Sequence, residues 1–316
     1  MIKRILLAAA GTAMSLIMSG ATLRVNNSPE SGAQFTSFAE AQEAAQDGDV
    51  IIVDGSAKSY GNIDITKKIT VQGPGYFLAV NDETKEGYSP ATFDEVNLKC
   101  DGIKITGLCV EGKINMRANN LIVTRCYVNY VNLCTEYSYT SDHISNGVIH
   151  QNFIQNGIGG DSYSSPATYM QVTNNIISNG YNSMFCNMNN SVISRNTALS
   201  EESGVRQLTN CVIENNISYN IEDSYWNNKD NTYSNNHNIK DSRVINEVYG
   251  QNNKRTDATI KASDATFGID MGAFSGDDPY VLSGLSAGPV LQDIQMPESV
   301  VQGEELKVTV KIGTSR

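Results

Sequence analysis

The sequence lacks several features that would assign it to a common class of protein. After residue 21 it has no apolar run of the roughly 20 residues that a membrane helix needs. The spacing of its residues matches no phosphate-binding loop, dinucleotide-binding fingerprint, zinc motif or Ser-His-Asp arrangement. Its three His residues, His143, His150 and His237, have no evident partner in the sequence. These absences predict neither an integral membrane protein nor a common nucleotide-dependent or zinc enzyme.

Basic residues are also scarce, and two of them lie in a predicted secretory signal at residues 1–21. In that segment Lys3 and Arg4 precede the apolar run 5–18, and the small residues at 19–21 suit cleavage. Without Lys3 and Arg4, 21 basic residues face 34 acidic ones, a net charge of 21 − 34 = −13. We therefore expect an exported chain whose partners are neither nucleic acid nor anionic membrane, and which holds polyanionic polysaccharide only through bound cations.

The six Cys residues allow two interpretations. An even number of cysteines in an exported chain permits disulfides, whereas a Cys can also fill an inward position of a stacked coil as a small apolar side chain. We favour buried thiols, and the spacings fit no metal motif. The six are Cys100, Cys109, Cys126, Cys134, Cys186 and Cys211.

A repeated phrase, apolar-x-x-Asn-x-apolar, dominates residues 146–238. Successive copies are spaced 23, 21, 20 and 20 residues apart. A period near twenty is typical of stacked structural units. The anchoring apolar residues are Ile149, Val172, Ile193, Ile213 and Tyr233, and the Asn residues are Asn152, Asn175, Asn196, Asn216 and Asn236.

Units of about twenty residues with strands of 3 to 5 residues cannot bury their own apolar faces. Stacking the units strand on strand, about 4.8 Å apart, buries a continuous core and predicts a parallel β-helix. The Asn column then belongs to a bend with unusual backbone angles, where stacked amides hydrogen-bond from unit to unit. Leucine-rich repeats also place Asn periodically, but the dense Leu framework they require is absent.

The segment before the repeats is predicted to close the first coil. Ser37 and Glu40 have capping-box spacing, which predicts a helix over 39–46 that covers the open apolar end, followed by a strand at 50–53. Residues 75–97 lack periodicity and are interpreted as a surface insertion. At the other end, alternation over 306–312 predicts one strand that packs on the coil or pairs elsewhere.

The phrases VISRNTA and VIENNIS and the stretch SFAEAQEAAQDGDVIIV resemble the secreted pectin-lyase-like superfamily, with its Asn-ladder bend and N-terminal helix. The tail DMGAF with DPYVLSGL resembles the closing segment of uncharacterised exported β-helix proteins of Gram-negative bacteria. The resemblance implies an all-β, single-stranded, right-handed parallel β-helix with an N-terminal capping helix. It implies little about activity, because the superfamily includes lyases, hydrolases, esterases, epimerases and adhesins. The predicted divisions are the signal at 1–21, cap and first coils at 22–100, regular coils at 101–250, a C-terminal cap at 251–290 and a tail at 291–316.

Counting from the Asn column suggests one face that could carry chemistry. Ten positions past successive Asn residues stand Phe185, Arg206 and Trp226, which predict an exposed aromatic–guanidinium–aromatic column that would bind sugar. A cation–π ladder without a ligand, or a Trp buried under a loop, explains the same residues. Tyr181 stands on the same predicted face.

Acidic residues cluster beside that column. Glu202 and Glu222 stand six positions past successive Asn residues, and Asp223 follows. Two carboxylates one rung apart, about 5 Å, suit a retaining glycosidase. With Arg206 nearby, three carboxylates would equally suit Ca²⁺ and a chemistry like that of pectate lyases, although acidic loops are often only solvated.

Two hypotheses follow. The first is an exported β-helix protein that binds or processes polysaccharide, with Glu202, Glu222 and Arg206 as catalytic candidates and Tyr181, Phe185, Asp223 and Trp226 as substrate contacts. The second is a non-catalytic envelope or adhesion protein that recognises partners through loops or the tail strand. The oligomeric state has no signature in the sequence.

Overall fold

The structure is a computed structural model, and it describes residues 20–80, 84, 89–133, 144–160, 165–178, 184–199, 204–218, 221, 227–238, 256–257, 260, 271–285, 289–295, 305 and 307–314. The helix α1 spans Phe38–Ala44, and short 3-10 turns lie at Pro29–Ser31, Leu78–Val80 and Leu282–Gly284. In the described part of the chain, no helix is long and apolar enough to cross a membrane.

The strands are short and follow one another around a coil. The first twelve are β1 (Thr22–Val25), β2 (Val50–Val53), β3 (Asn62–Ile65), β4 (Thr70–Gln72), β5 (Thr92–Phe93), β6 (Glu95–Leu98), β7 (Lys104–Thr106), β8 (Cys109–Met116), β9 (Ile122–Thr124), β10 (Tyr127–Leu133), β11 (Val148–His150) and β12 (Phe153–Gly159). The others are β13 (Ala167–Thr168), β14 (Gln171–Thr173), β15 (Ile176–Ile177), β16 (Phe185–Asn189), β17 (Val192–Ser194), β18 (Thr197–Ala198), β19 (Val205–Thr209), β20 (Val212–Glu214), β21 (Ile217–Ser218), β22 (Thr232–Ser234), β23 (His237–Asn238), β24 (Pro289–Gln295) and β25 (Thr309–Thr314).

The coil has three sides. Side A is a ten-stranded parallel sheet in the order β1-β2-β4-β7-β9-β11-β14-β17-β20-β22. A thirteen-stranded parallel sheet forms the other two sides. Side B contains β5, β15, β18, β21, β23 and the first residues of β8, β10 and β12, whereas side C contains β3, β6, β13, β16, β19 and the last residues of the same three strands. The predicted all-β parallel β-helix is confirmed.

Side A shows why the repeat phrase folds in this way. Its central residues alternate inward, so that Ile149, Val172, Ile193 and Ile213 pair in register and are fully buried. β-branched side chains fit such stacked strands well. Each buried side chain contributes about 1.5 to 3 kcal/mol relative to an exposed one. The core is therefore a continuous column through the axis of the coil.

The predicted Asn ladder lies at the corner between sides A and B. Each Asn side chain donates to the Asn of the next coil at 2.9 to 3.0 Å, from Asn152 through Asn175, Asn196 and Asn216 to Asn236. The first four are fully buried. The residue before each ladder Asn has a positive φ, for example 53° at Asn174 and 54° at Arg195. The unusual backbone angle therefore belongs to the preceding residue, whose side chain points away from the core.

A second corner of the same kind joins sides C and A. One residue per coil adopts a positive φ there, and polar side chains that tolerate this region dominate. This column has no uniform signature in the sequence, because its members do not share one residue type. They are Asn120, Asn146, Tyr169, Asn190, Asn210 and Asp230.

The N-terminal predictions agree with the structure in most respects. The Ser37 side chain accepts the N–H of Glu40 at 3.3 Å and caps α1. Phe38 and Ala41 of this helix pack into the apolar core, so that α1 covers the first coil. The interpretation of 75–97 as an insertion is wrong in part, because β5 and β6 belong to the coil.

The segment 271–285, here called the strap, runs along the outside of the coils. It contacts the coil of Asn215 through Gly272, and its last residue, Leu285, accepts from Arg125. Apolar side chains on the outer face of side B pack under it, including Phe153, Ile176 and Ile217. The strap therefore lies on the flank of the coil and does not lie across its end.

The C-terminal tail contains two strands where the sequence predicted one. β24 and β25 pair antiparallel with each other. In the part of the chain that the structure describes, neither strand pairs with the coil. The tail is a hairpin that follows the strap.

Candidate functional site

Side C presents a row of polar side chains on its outer face. Ile63 and Ile65 of β3 point inward, so Asp64 between them points outward. Asn97 donates to Asp64 at 2.9 Å, Asn115 to Asn97 at 2.9 Å, and Asn132 to Asn115 at 2.8 Å. This amide row is a second, external ladder that runs along the axis of the coil.

The same column continues in register across the later coils, where Gly159 and Cys186 interrupt the polar row. Asn132 pairs with Gly159, Gly159 with Cys186, and Cys186 with Arg206. A Cβ atom at Gly159 would lie 2.6 Å from the Cβ atom of Cys186, so only Gly allows β12 and β16 to approach this closely. Arg206 is half-buried, and it places a cation at the last described position of this column.

The predicted aromatic–guanidinium column is wrong in register. Phe185 pairs with Val205 and is fully buried, so it does not share an outward column with Arg206. The error has a simple origin. Phe185 lies eight positions after Ile177 of side B, whereas Val205 lies only seven positions after Ala198, the strand partner of Ile177. The prediction from the Asn column required the segments between side B and side C to have the same length in every coil.

The remaining predicted site residues lie outside the described residues. They are Tyr181, Glu202, Glu222, Asp223 and Trp226. The segments that contain them immediately precede strands or bridges of side C: 179–183 precede β16 by one residue, and 200–203 precede β19 by one residue. Segment 222–226 ends three residues before Lys229, which bridges to Thr209 of β19.

The described residues contain no group of three His, Cys, Asp or Glu side chains that could hold a metal ion. The carboxylates predicted to bind Ca²⁺, those of Glu202, Glu222 and Asp223, lie outside that part of the chain.

The described cysteines are free thiols. Cys126, Cys186 and Cys211 are buried, as the sequence interpretation favoured, whereas Cys100 and Cys109 are only half-buried. Burial raises the pKa of the Cys126 thiol to about 12 and that of Cys109 to about 11. Thiols with such high pKa values are poor nucleophiles and poor metal ligands. Cys134 lies outside the described residues, and the others are Cys100, Cys109, Cys126, Cys186 and Cys211.

The strap is anchored by a buried polar cluster. The hydroxyl groups of Tyr76 and Tyr280 hydrogen-bond to each other, and the Tyr280 hydroxyl also donates to Asp257 at 3.3 Å. The backbone N–H of Ser283 donates to the same carboxylate. Burial raises the pKa of both tyrosines well above the ordinary value. The cluster therefore joins the strap to the start of the coil.

His150, which had no evident partner in the sequence, lies between side A and the strap. Its Nδ1 lies 2.7 Å from the Thr173 hydroxyl, and its Nε2 lies 3.1 Å from an Asp278 carboxylate oxygen. Gln151 donates to the other Asp278 oxygen at 2.8 Å. Spacing could not reveal this hydroxyl–imidazole–carboxylate set, because 128 residues separate His150 from Asp278.

Comparison with known proteins gives little more. No protein-family model and no curated protein matches the chain. Among solved structures, the chain is similar to a pectin methylesterase from Aspergillus niger, with a TM-score of 0.41 and 15% identity. That match covers 80% of this chain and 97% of the other. The fold assignment rests on the strand pairing described above.

Proposed function

We propose that this chain is an exported β-helix protein that binds or processes polysaccharide along side C. The observation that supports this proposal is the outward column of side C. In this column Asp64, Asn97, Asn115 and Asn132 form a polar row on consecutive coils, and Arg206 follows in register after Gly159 and Cys186. Amide groups both donate and accept hydrogen bonds, as sugar hydroxyl groups do. A row with the rung spacing of the coil suits an extended polymer better than a compact ligand.

The segments next to side C supply the residue types that sugar recognition uses. Aromatic rings such as those of Trp226 and Tyr181 would pack on the apolar faces of sugar rings. The Asp223 carboxylate would accept hydrogen bonds from the sugar hydroxyl groups. Arg206 would bind an anionic group or stabilise developing negative charge. Phe185 is withdrawn as a direct contact because it is fully buried.

Two reactions are compatible with these residues. If Glu202 and Glu222 approach within about 5.5 Å, they suit a retaining glycosidase, with one carboxylic acid and one nucleophile. If they bind Ca²⁺ together with Asp223, the site suits proton abstraction beside a sugar carboxylate, with Arg206 at hand. The two are distinguished by their products, since the first releases reducing ends and the second also forms unsaturated sugars.

The test is a glycan array probed with the purified protein, with and without Ca²⁺, followed by product analysis on any bound glycan. We expect binding to a polysaccharide, a large loss of affinity in Arg206→Ala, and no loss in Lys104→Ala. Lys104 is a matched control because it is an exposed cation on side A. Absence of both binding and product release on plant and host glycans would contradict the proposal.

The hairpin β24–β25 supports the second candidate function, a non-catalytic envelope protein. A two-stranded sheet is marginal alone, and among the described residues it pairs with no strand of the coil. The hairpin would then be an attachment element and the coil a spacer. Retention of the protein in a cell-envelope fraction that is lost when residues 289–316 are deleted, with no effect of Arg206→Ala, would favour this function over the first.

A further inference from the structure

One guanidinium group at the corner between sides A and B is not used to hold the strap. Outward side chains at this corner bind strap carbonyls: Arg125 donates to Leu285 at 2.9 Å, Gln151 to Pro279 at 2.6 Å, and Asn174 to Ser275 at 2.9 Å. Arg195 has the same position on the next coil and the same backbone region. Its Nε is buried and, in the structure as described, makes no hydrogen bond. This corner therefore contains one cationic hydrogen-bond donor that has no acceptor among the described residues.

The strap passes directly over this guanidinium. A Cβ atom at Gly276 would lie 2.6 Å from Arg195 Nε and 3.3 Å from its Cζ. Nevertheless, no carboxylate within the described ranges forms an ion pair with Arg195. The neighbouring Asp278 is already bound by His150 and Gln151. The position of Arg195 is thus enclosed by the strap without being neutralised by it.

A buried cationic N–H without an acceptor is unfavourable, and native proteins rarely contain one. Here it persists in a chain with a formal net charge of −11, where acidic side chains are plentiful. A ligand that brings its own acceptor oxygens would satisfy the group.

Two hydroxyl-bearing residues are neighbours of Arg195, one in sequence and one through the strand register. Ser194 directly precedes Arg195, faces outward from side A and is nevertheless only 5% exposed. Thr173 pairs with Ser194 in the neighbouring coil, and its hydroxyl contacts His150. Hydroxyl groups can donate to an anion that the guanidinium attracts. The seam between side A and the strap therefore contains a planar cationic donor, and the two neighbouring residues carry hydroxyl groups.

We propose that Arg195, Ser194 and Thr173 form a binding site for a single oxyanion group. Guanidinium groups bind carboxylate, sulfate and phosphate through paired N–H donors, which fixes both charge and geometry. The acidic residues nearby, Glu214, Asp277 and Asp278, would repel a ligand with many negative charges. The ligand is thus a small oxyanion or one acidic substituent on an otherwise neutral molecule. This site is separate from side C, so it stands or falls independently of the glycan proposal.

The direct test is an NMR titration of the wild-type protein that follows the Nε–Hε resonance of Arg195. Sodium sulfate, phosphate, acetate and galacturonate are added at constant ionic strength, with chloride as the reference. We expect a saturable shift of this resonance with at least one oxyanion and none with chloride. A response to galacturonate but not to acetate, sulfate or phosphate would assign the ligand to acidic sugars, whereas a response to the inorganic ions would assign it to a free ion.

Variants test the same site through thermal stability. Sulfate and phosphate stabilise most proteins non-specifically, so the informative quantity is the difference between variants. Arg195→Gln and Arg195→Lys should each weaken the saturable stabilisation at least about tenfold, since a charge-assisted paired contact is lost. Lys104→Gln should respond as the wild type does.

An ion pair with Asp277 is the competing explanation for Arg195. In that case Asp277→Asn would destabilise the protein as much as Arg195→Gln, and the Arg195 resonance would not respond to any oxyanion. Either that result or equal oxyanion responses in wild type and Arg195→Gln would overturn the proposal.

Discussion

At the scale of single residues, the ladder amides are the most consequential side chains of the coil. Asn196 accepts from the backbone and side chain of Asn175 and donates to Asn216 and to the carbonyl of Val172. Asn196→Ala should leave several of these buried groups unpaired and lower the free energy of unfolding by about 1 to 3 kcal/mol. Chemical denaturation measures this loss.

The control for this prediction is the last member of the same ladder. Asn236 is half-exposed, so water can replace its partners in Asn236→Ala, and a loss below about 1 kcal/mol is expected. Equal losses in the two variants would show that burial does not set the strength of the ladder.

The sequence predicts the ladder but not the residues before it. Asn recurs at one spacing and is visible in the sequence, whereas the positive-φ position accepts Arg125, Gln151, Asn174 and Arg195 alike. The first three of these side chains donate to strap carbonyls, and the strap lies about a hundred residues away in sequence from Asn174. Contacts between residues so far apart in sequence follow no regular spacing, so the sequence pattern could not predict them.

At the scale of elements, the strap depends on a close approach that only Gly permits. Gly272 has a φ of 75°, and a Cβ atom there would lie 2.6 Å from both Ile217 Cδ1 and Thr197 Oγ1. Gly32 has a similar φ of 66° with nothing within 4 Å. Both Gly→Ala variants incur the cost of the left-handed region, about 1 to 2 kcal/mol. In Gly272→Ala, steric overlap should lower the free energy of unfolding by about 1 to 3 kcal/mol more than in Gly32→Ala.

Hydrogen exchange distinguishes loosening of the strap from a general loss of stability. The N–H of Ala273 donates to Thr197 Oγ1 at 3.0 Å, so it should exchange faster in Gly272→Ala than in Gly32→Ala. Identical exchange at Ala273 in the two variants would mean that the strap tolerates the added methyl group.

The candidate site also shows where element prediction fails. The strands of side A keep strict register because their turns have one length, and there the sequence is a reliable guide. Side C follows segments of unequal length, and one extra residue before β16 moved Phe185 from the predicted surface into the core. The polar row was missed because Asp64, Asn97, Asn115 and Asn132 belong to coils that lack the repeated phrase.

At the scale of the whole molecule, one continuous core and one flanking strap divide the surface into distinct regions. Within the described ranges, the strap packs on side B and α1 packs on the first coil, while sides A and C are the two other regions of the surface. The two proposals use these two regions separately, the glycan site on side C and the oxyanion site at the edge of side A. A β-helix can host both because each coil contributes residues to every side.

The buried thiol of Cys126 and the buried phenol groups of Tyr76 and Tyr280 predict how the stability of the protein depends on pH. Burial raises the pKa of Cys126 to about 12, against about 8.5 in an unfolded chain, and also raises those of Tyr76 and Tyr280. Above pH 8.5 the unfolded state releases protons that the native state retains. The stabilising contribution is therefore fully present below about pH 8.5 and is lost as the pH rises toward the native values.

Urea denaturation between pH 8 and pH 11 tests this expectation. The free energy of unfolding should fall steadily across the interval in the wild type, with each retained proton contributing about 1.4 kcal/mol per pH unit. Cys126→Ala removes one such group, so its slope should be shallower by about one proton above pH 9. Because Cys126 lies at a ladder corner, where Asn152 accepts its N–H, the variant keeps that backbone hydrogen bond. A slope unchanged from that of the wild type would show that the Cys126 thiol ionises equally readily in both states and is accessible to water in the native coil.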